Sequence, residues 1–237
     1  QVSLKDKENL EPWYLELNPL GVVPTLVHDG KPVIESSIIC EYLDDTFPEH
    51  SLKPVDTYQR ARMRFWMKHV DVKLHPSCGA IQWPMVMRPA LMEKSEEERE
   101  AILERVVEKP RRERQKRLVK FGLDAPDIAD AVRTYRKTIL DMEAALTEHR
   151  WVVGDEFSLA DVCLAPYFQT LHQFAWTALY DHDCPRVTDW FAQVSERASY
   201  REGVAVDFPE SLVTRLQGEG AAVWQKIEQH LEQKPAA

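Results

Sequence analysis

The stretch from Asn18 to Ser36 constrains this chain more than any other part of its sequence. Leu10 to Leu17 alternates apolar and charged residues at helical spacing, and the Asn-Pro-Leu-Gly that follows ends a helix because proline cannot continue it. Two short apolar runs come next, separated by Asp29-Gly30, which is the strongest two-residue signal for a β-hairpin. The stretch therefore predicts a helix end, an antiparallel hairpin and a second helix start.

Pro24 stands at the mouth of the first predicted strand, where a trans proline is awkward for strand pairing. A cis bond at this position would turn the backbone sharply and expose the neighbouring amide groups. We therefore expect Val23 to present its N–H and C=O to an extended, peptide-like ligand.

Glu35 and Ser36 mark the start of the next helix, whose apolar residues follow helical spacing up to Asp45. Ser36 is predicted as the N-cap of this helix. Free N–H groups at a helix N-terminus favour a carboxylate, and the adjacent Glu35 favours an ammonium group. A carboxylate site beside an ammonium site suits the head group of an α-amino acid.

These motifs together resemble the glutathione-binding half of the thioredoxin-like domain in the glutathione S-transferase family. The resemblance rests on Asn-Pro-Leu-Gly-Val-Val-Pro-Thr-Leu at 18–26, on the hairpin, and on Glu-Ser-Ser-Ile-Ile-Cys-Glu-Tyr-Leu at 35–43. Within the family, Glu-Pro-Trp-Tyr at 11–14 and a long charged insert are most similar to the bacterial β-etherase-type branch. The implied fold is an α/β thioredoxin-like N-terminal domain, incomplete in this chain, followed by an all-α helical bundle.

The character of the sequence changes after Asp45. Pro48 and Pro54 stand among polar residues, which is typical of a linker, and nearly everything that follows has helical periodicity and few glycines. The predicted organisation is a partial glutathione-binding domain at 1–45, a linker at 46–56, and a helical domain at 57–237 with a charged insert at 93–120.

The resemblance also implies which residues contact glutathione. In the family, the residue before the cis-proline pairs through its backbone with the glutathione cysteine, and the Glu-Ser pair holds the γ-glutamyl end. Val22 stands where many members carry lysine or glutamine, so one polar contact to glutathione is absent or comes from elsewhere. The implied glutathione-binding residues are Val23, Pro24, Glu35, Ser36 and Asn9, the last as a donor to the glycine carboxylate.

The implied activity is that of a glutathione transferase, whose bound thiolate attacks an apolar aromatic electrophile, with aryl ether cleavage as one form of this reaction. Gln1 to Leu4 reads like the second strand of the domain, so we expect the first strand, the first helix and the catalytic residue to precede Gln1. Two alternatives stay open. One is a non-catalytic transferase-fold module that binds proteins, and the other is a glutathionyl reductase with a cysteine in that first helix.

Residues 57–75 are predicted as a helix with one apolar stripe. In the resembled family this helix lines the hydrophobic substrate pocket and part of the dimer interface. Pro76 is expected to break the helix, and 77–89 to form an irregular apolar segment over the pocket. The residues predicted to line the substrate pocket are Trp66, Met67, Val70 and Trp83, whose aromatic and sulfur-containing side chains suit flat apolar electrophiles.

Two later patterns are interpreted as structural. Residues 127–148 form an amphipathic helix with one apolar face. Ser158 and Asp161 have the spacing of a capping box, in which each side chain satisfies an amide that the helix start leaves unpaired. We therefore assign Asp161 no catalytic role.

The stretch 93–120 is strongly charged, with an acidic half from Glu93 to Glu104 and a basic half from Lys109 to Lys120. The basic half is able to hold phosphate, an acidic substrate or an anionic surface. The other interpretation, which the neighbouring acidic half favours, is a solvated helical hairpin whose two halves attract each other.

Composition excludes several classes of protein function. A net charge of −9 argues against a general nucleic-acid binder, and no apolar run approaches the ~20 residues that span a bilayer. The four cysteines and eight histidines show no metal-ligand spacing, which predicts no metal site and favours a reducing, cytoplasmic compartment. From the resemblance we predict that the protein uses glutathione as co-substrate and a hydrophobic aromatic small molecule as second substrate, and that it forms a homodimer.

Overall fold

The computed structural model describes residues 2–4 and 7–231 and divides them between a small α/β unit and a larger helical domain, which confirms the predicted fold class. The strands are β1 (Thr25–His28) and β2 (Lys31–Ile34). Short 3₁₀ turns lie at Glu8–Leu10, Pro48–His50, Gly122–Asp124, Thr177–Leu179 and Ala205–Asp207. The α-helices are α1 (Pro12–Leu17), α2 (Ser36–Thr46), α3 (Thr57–His69), α4 (His75–Val86), α5 (Arg88–Met92), α6 (Glu96–Glu104), α7 (Lys109–Phe121), α8 (Asp127–Glu148), α9 (Leu159–Gln173), α10 (Pro185–Ser195), α11 (Ala198–Gly203), α12 (Glu210–Ala222) and α13 (Trp224–Glu228).

The two strands form the predicted antiparallel hairpin, with Thr25 opposite Ile34. Asp29 and Gly30 have φ values of 49° and 72°. Positive values at both central positions are what a type I′ turn requires, and this turn matches the twist of the flanking strands. The Asp-Gly pair therefore determines both the position and the register of the hairpin.

Residues 2–4 do not form the strand that the sequence predicted for Gln1 to Leu4. The Ser3 carbonyl accepts a hydrogen bond from the Glu8 N–H at 3.0 Å, and the Ser3 N–H donates to the Glu8 carboxylate at 2.8 Å. The segment thus bonds to the turn that follows it rather than to a β-ladder. Gln1 lies outside the described residues, among which the sheet has two strands.

The end of α1 agrees with the prediction, and side chains hold the segment that follows it. The Tyr14 hydroxyl and the Asn18 amide both donate to the Val22 carbonyl, at 2.6 Å and 2.8 Å. Gly21 has a φ of 61°, and a Cβ there would lie 2.8 Å from a neighbouring leucine side chain. Glycine is therefore required at this turn on grounds of both conformation and space.

Pro76 does not break the helix, which corrects the prediction for this part of the chain. The end of α3 passes through a π-type turn at Val70–Leu74 directly into α4, so most of the predicted irregular segment 77–89 is helical. The His75 N–H bonds the Val70 carbonyl, five residues back. Pro76 occupies the first turn of α4, directly after the π-type turn, a position that tolerates proline better than the interior of a regular α-helix. The wider turn thus accommodates the proline within a continuous helical rod.

Helix α8 packs against α4 and α10 and supplies much of the core, in agreement with the apolar face predicted for 127–148. The residues of α8 that are 5% exposed or less include Ile128, Val132, Tyr135, Ile139, Met142 and Leu146.

None of the helices in the described part of the chain is both long and apolar enough to cross a membrane.

The charged insert folds as a hairpin of α6 and α7, as the second interpretation of its sequence predicted. Lys116 of α7 forms ion pairs with Glu100 and Glu104 of α6, and Arg112 lies 3.6 Å from Glu104. Hydrogen bonds from Lys116 to the carboxylates of Glu100 and Glu104 raise the pKa of Lys116. Attraction between the two halves therefore involves part of the basic run.

Asp161 connects three segments of the helical domain through one buried carboxylate. It accepts hydrogen bonds from the Ser158 N–H at 3.0 Å, from the Val152 N–H at 3.2 Å and from the Trp190 indole N–H at 2.9 Å. Burial raises the pKa of Asp161, and these hydrogen bonds oppose that shift. The capping box predicted at Ser158 and Asp161 is present and extends to Trp190 on α10.

We predict that Asp161→Ala lowers the free energy of unfolding by roughly 3 kcal/mol or more, because each buried donor left without an acceptor costs about 1–3 kcal/mol. Urea denaturation measures the loss. Asp155→Ala is the control, since among the described residues that exposed carboxylate accepts only from the Arg150 N–H at 3.2 Å, and its removal should cost less than about 1 kcal/mol. Equal losses in the two variants would contradict the prediction.

Candidate functional site

A cavity of about 400 Å³ opens between the α/β unit and the helical domain. One wall comes from the segment before β1 and the start of α2, and the other wall comes from the π-type turn, α4, α7 and α9. Its lining includes both apolar and charged side chains, which suits a ligand with polar ends. The lining residues are Leu20, Val22, Val23, Pro24, Glu35, Ser36, Asp71, His75, Pro76, Glu108, Pro110, Arg111, Arg114 and Tyr167.

The Val23–Pro24 peptide bond is cis, as predicted. Because β1 begins at Thr25, Val23 lies outside the β-ladder, and no other described residue bonds its N–H or its C=O. Its side chain is exposed as well. Val23 therefore offers one backbone donor and one backbone acceptor, the pair of groups with which an extended peptide adds to a strand edge.

Glu35, rather than Ser36, takes the N-cap position of α2, which corrects the prediction by one residue. Neither side chain caps the helix, and both line the cavity. Glu35 has φ 70° and ψ 116°, a conformation that costs a non-glycine residue about 1–3 kcal/mol. The strained turn at Glu35 thus brings an acidic side chain, a hydroxyl and an uncapped helix start to one side of the cavity.

The opposite wall carries a hydrogen-bonded pair, in which His75 Nδ1 and the Tyr167 hydroxyl lie 3.2 Å apart. Burial lowers the pKa of His75, and the charges of Arg111 and Arg114 lower it further. Burial raises the pKa of Tyr167. Both groups are therefore neutral near pH 7, and the pair supplies a hydroxyl donor without adding net charge.

Two polar contacts join the elements around the cavity. The Ser37 hydroxyl donates to Asp71 at 2.7 Å and links the first turn of α2 to the π-type turn. The Arg114 guanidinium donates to the Pro76 carbonyl at 3.2 Å and links α7 to α4. The first contact ties the two cavity walls to each other, and the second ties two helices of the helical wall, both near the middle of the α3–α4 rod.

Asn9 does not join this cavity, contrary to the prediction. Its side-chain amide donates to the Gly21 carbonyl at 2.7 Å, and the residue is buried. It lines a neighbouring cavity of about 200 Å³, as does Trp83, and neither residue lines the 400 Å³ cavity. The Asn9 donor is used to hold the turn before β1 and is not aimed at a ligand carboxylate.

Trp66, Met67 and Val70 are core residues, each 4% exposed or less, and none of them lines the 400 Å³ cavity. The apolar stripe of the rod packs inward because that face is the one that gains most from leaving water. Site residues instead come from a polar pair, Asp71 and His75, spaced four residues apart. That i, i+4 spacing is a signal in the sequence that could have identified them.

Comparisons with known families agree with this geometry. Residues 1–46 match the family described as glutathione S-transferase, N-terminal domain, and residues 74–198 match glutathione S-transferase, C-terminal domain. The cavity takes residues from both matched regions.

Individual relatives resemble the chain over most of its length. Protein LigF of Sphingobium sp. (strain NBRC 103272 / SYK-6) is 31% identical over 86% of this chain and 81% of its own. Probable glutathione S-transferase parC of Nicotiana tabacum is 25% identical over 87% and 76%. The crystal structure of β-etherase LigF from Sphingobium sp. strain SYK-6 aligns with a TM-score of 0.76 at 30% identity, covering 85% of each chain.

Glutathione transferase F7 from Populus trichocarpa has the same fold, with a TM-score of 0.63 at 20% identity over 91% of this chain and 84% of its own. The family matches and the LigF relationship therefore lead to one conclusion: the chain belongs to the glutathione S-transferase family.

Proposed function

We propose that the 400 Å³ cavity binds glutathione in an extended conformation. Its cysteinyl residue pairs with the backbone of Val23, and its γ-glutamyl end lies at Glu35 and Ser36. The observation that carries the proposal is the opening of the cis-turn backbone and of the uncapped start of α2 into one cavity. Glu35 supplies the acceptor for the ammonium group, while the α2 N-terminus and the Ser36 hydroxyl supply donors for the carboxylate.

The bound thiolate then attacks an apolar aromatic electrophile, and similarity to a β-etherase favours an aryl ether as the substrate. In that reaction a C–S bond forms at the carbon that bears the aryloxide. The C–O bond breaks, and its electron pair leaves with the aryloxide, which takes up a proton. The thiol-activating residue stays a prediction from the family resemblance and is assigned to none of the cavity residues.

We place the electrophile in the same cavity, against residues other than those expected from the sequence. Pro24 and Pro76 provide apolar surface in the cavity that the Tyr167 hydroxyl also lines. We assign the proton of neutral His75 to Nδ1, which then donates to the Tyr167 oxygen and leaves the hydroxyl proton for a hydrogen bond to the oxygen of a departing aryloxide.

A homodimer is part of the same proposal. Ile38 on α2, Tyr58 and Phe65 on α3 and Val72 in the π-type turn are large hydrophobic residues that are 56% to 72% exposed. A second copy of the chain would cover such apolar surface. The four cysteines are free thiols, which supports a reducing compartment such as the cytoplasm.

We predict that the intact protein, given glutathione and a β-aryl ether with a nitrophenol leaving group, releases nitrophenol and an equal amount of glutathione thioether. Absorbance and mass spectrometry measure the two products, and omission of glutathione is the control. Glutathione binding without turnover would instead favour the non-catalytic module. Formation of a mixed disulfide between the protein and glutathione would favour the reductase.

We predict that Ser36→Ala weakens glutathione binding about tenfold in calorimetry, because a hydrogen bond to a charged group contributes about 1.5–3 kcal/mol. Ser51→Ala is the control, since Ser51 lies outside the cavity and bonds Asp44 at 2.8 Å. Unchanged affinity in Ser36→Ala would contradict the placement of the γ-glutamyl end of glutathione at Ser36.

The backbone strain at Glu35 generates a further prediction. Glycine adopts positive φ without steric cost, so Glu35→Gly should be more stable than Glu35→Ala. Glycine is also a better N-cap residue than alanine, which adds to its advantage at any N-cap position. The same two substitutions at Glu11 measure this N-cap contribution alone, because Glu11 is the N-cap of α1 and has an ordinary φ of −80°. The glycine advantage in urea denaturation should be about 1 kcal/mol larger at position 35 than at position 11. Equal advantages would mean that Glu35 is not strained.

A further inference from the structure

Helix α7 brings two arginines to the cavity wall that faces the α/β unit. Arg111 and Arg114 lie one turn apart, and both line the cavity together with Val22 and Val23. Arg111 is half-buried and forms no hydrogen bond or ion pair with any residue in the part of the chain that the structure describes. Arg114 bonds only the Pro76 carbonyl, a neutral acceptor, within that same part.

Other cations of α7 are matched with carboxylates. Arg112 and Lys116 pair with residues of α6, and Arg117 contacts Asp127 at 2.6 Å. These three side chains therefore have partners in the charged hairpin and its neighbour. The two arginines at the cavity are different, because attraction between the halves of the insert does not account for them.

Placing two guanidinium groups side by side is unfavourable unless an anion joins them. Burial lowers the pKa of Arg114, and the charge of Arg111 lowers it further, while Glu108 opposes the shift. Glu108 is exposed at the N-cap of α7. Glu35 and Asp71 also line the cavity, and Asp71 already accepts from Ser37. A ligand carboxylate would supply the missing partner, since the planar guanidinium binds carboxylates with two parallel hydrogen bonds.

We propose that Arg111, with Arg114 behind it, forms a carboxylate-binding subsite of this cavity, and that it takes the glycyl carboxylate of glutathione. The inference rests on the glutathione site proposed above. With the γ-glutamyl end at Ser36 and the cysteinyl residue at Val23, the glycyl residue extends past Val23 toward Val22 and Leu20. That part of the lining is apolar, and Arg111 is beside it.

The subsite would make the insert part of the ligand site. Glutathione would contact the α/β unit through Val23 and Ser36 and the helical domain through α7, and so would bridge the two. A neutral glycyl end would lose the contact to Arg111 but keep the contacts to Val23 and Ser36.

The test is calorimetric binding of glutathione and of its glycyl ethyl ester, in which an ethyl group removes the charge at that end. The unaltered protein should bind glutathione about 10- to 100-fold more tightly than the ester. Arg111→Ala should remove this preference and leave affinity for the ester unchanged. Arg112→Ala, on the same helix but paired with Glu104, should keep the preference, and Arg111→Lys should restore part of it.

The same variants identify the source of the carboxylate. If Arg111→Ala keeps the preference for glutathione but raises KM for a carboxylate-bearing electrophile and not for its methyl ester, the subsite holds the electrophile instead. If neither preference changes in a variant with an unaltered melting temperature, there is no carboxylate subsite at Arg111. Failure of the glutathione site itself is distinguishable, because the unaltered protein would then bind neither glutathione nor the ester.

Discussion

The carbonyl of Val22 accepts hydrogen bonds from Tyr14 and from Asn18, and the form of the α/β side of the site depends on this pair of contacts. The same two side chains also contact the Thr25 hydroxyl, at 2.9 Å and 3.2 Å. The chain is therefore held on both sides of Val23 and Pro24, while no residue in the described part of the chain bonds the Val23 amide or carbonyl. A backbone that is fixed in place but has free polar groups is already arranged for a ligand, so binding does not have to order it.

The two parts of the chain contribute different kinds of chemical group to the site. The α/β unit contributes backbone groups and one strained residue, Glu35. The helical domain contributes side chains, including His75 and Tyr167 from helices that are anchored in the core. This division separates recognition of a peptide-like ligand, which needs free backbone groups, from the accommodation of a second molecule, which depends on side-chain chemistry.

Local patterns predicted those features whose causes are local. The Asp29-Gly30 turn, the end of α1, the cis bond before Pro24 and the capping box at Asp161 each follow from residues that are neighbours in sequence. Predictions failed where a distant contact overrides a local preference. Asn9 has the residue type of a ligand donor, but the packing of its turn against Gly21 uses that donor internally.

Two further failures have the same explanation. Pro76 reads as a helix break, but the π-type turn before it shifts the hydrogen-bond register and the helix continues. Trp66 reads equally well as a pocket residue or as a core residue, because an apolar stripe has the same periodicity in both cases. Which faces are buried depends on the packing of the whole domain.

The sequence by itself determined the elements of this protein: where the chain turns, where helices begin and end, and which residue types are available to bind a peptide. Only the tertiary structure decided which of them meet. Ser36 and Arg111 come from different predicted domains, 75 residues apart in sequence, yet they line one cavity. Their proximity results from the packing of α7 on α4 within the helical domain and of α2 on α9 between the two parts. This packing depends on many weak apolar contacts between distant residues, and no short pattern in the sequence records their sum.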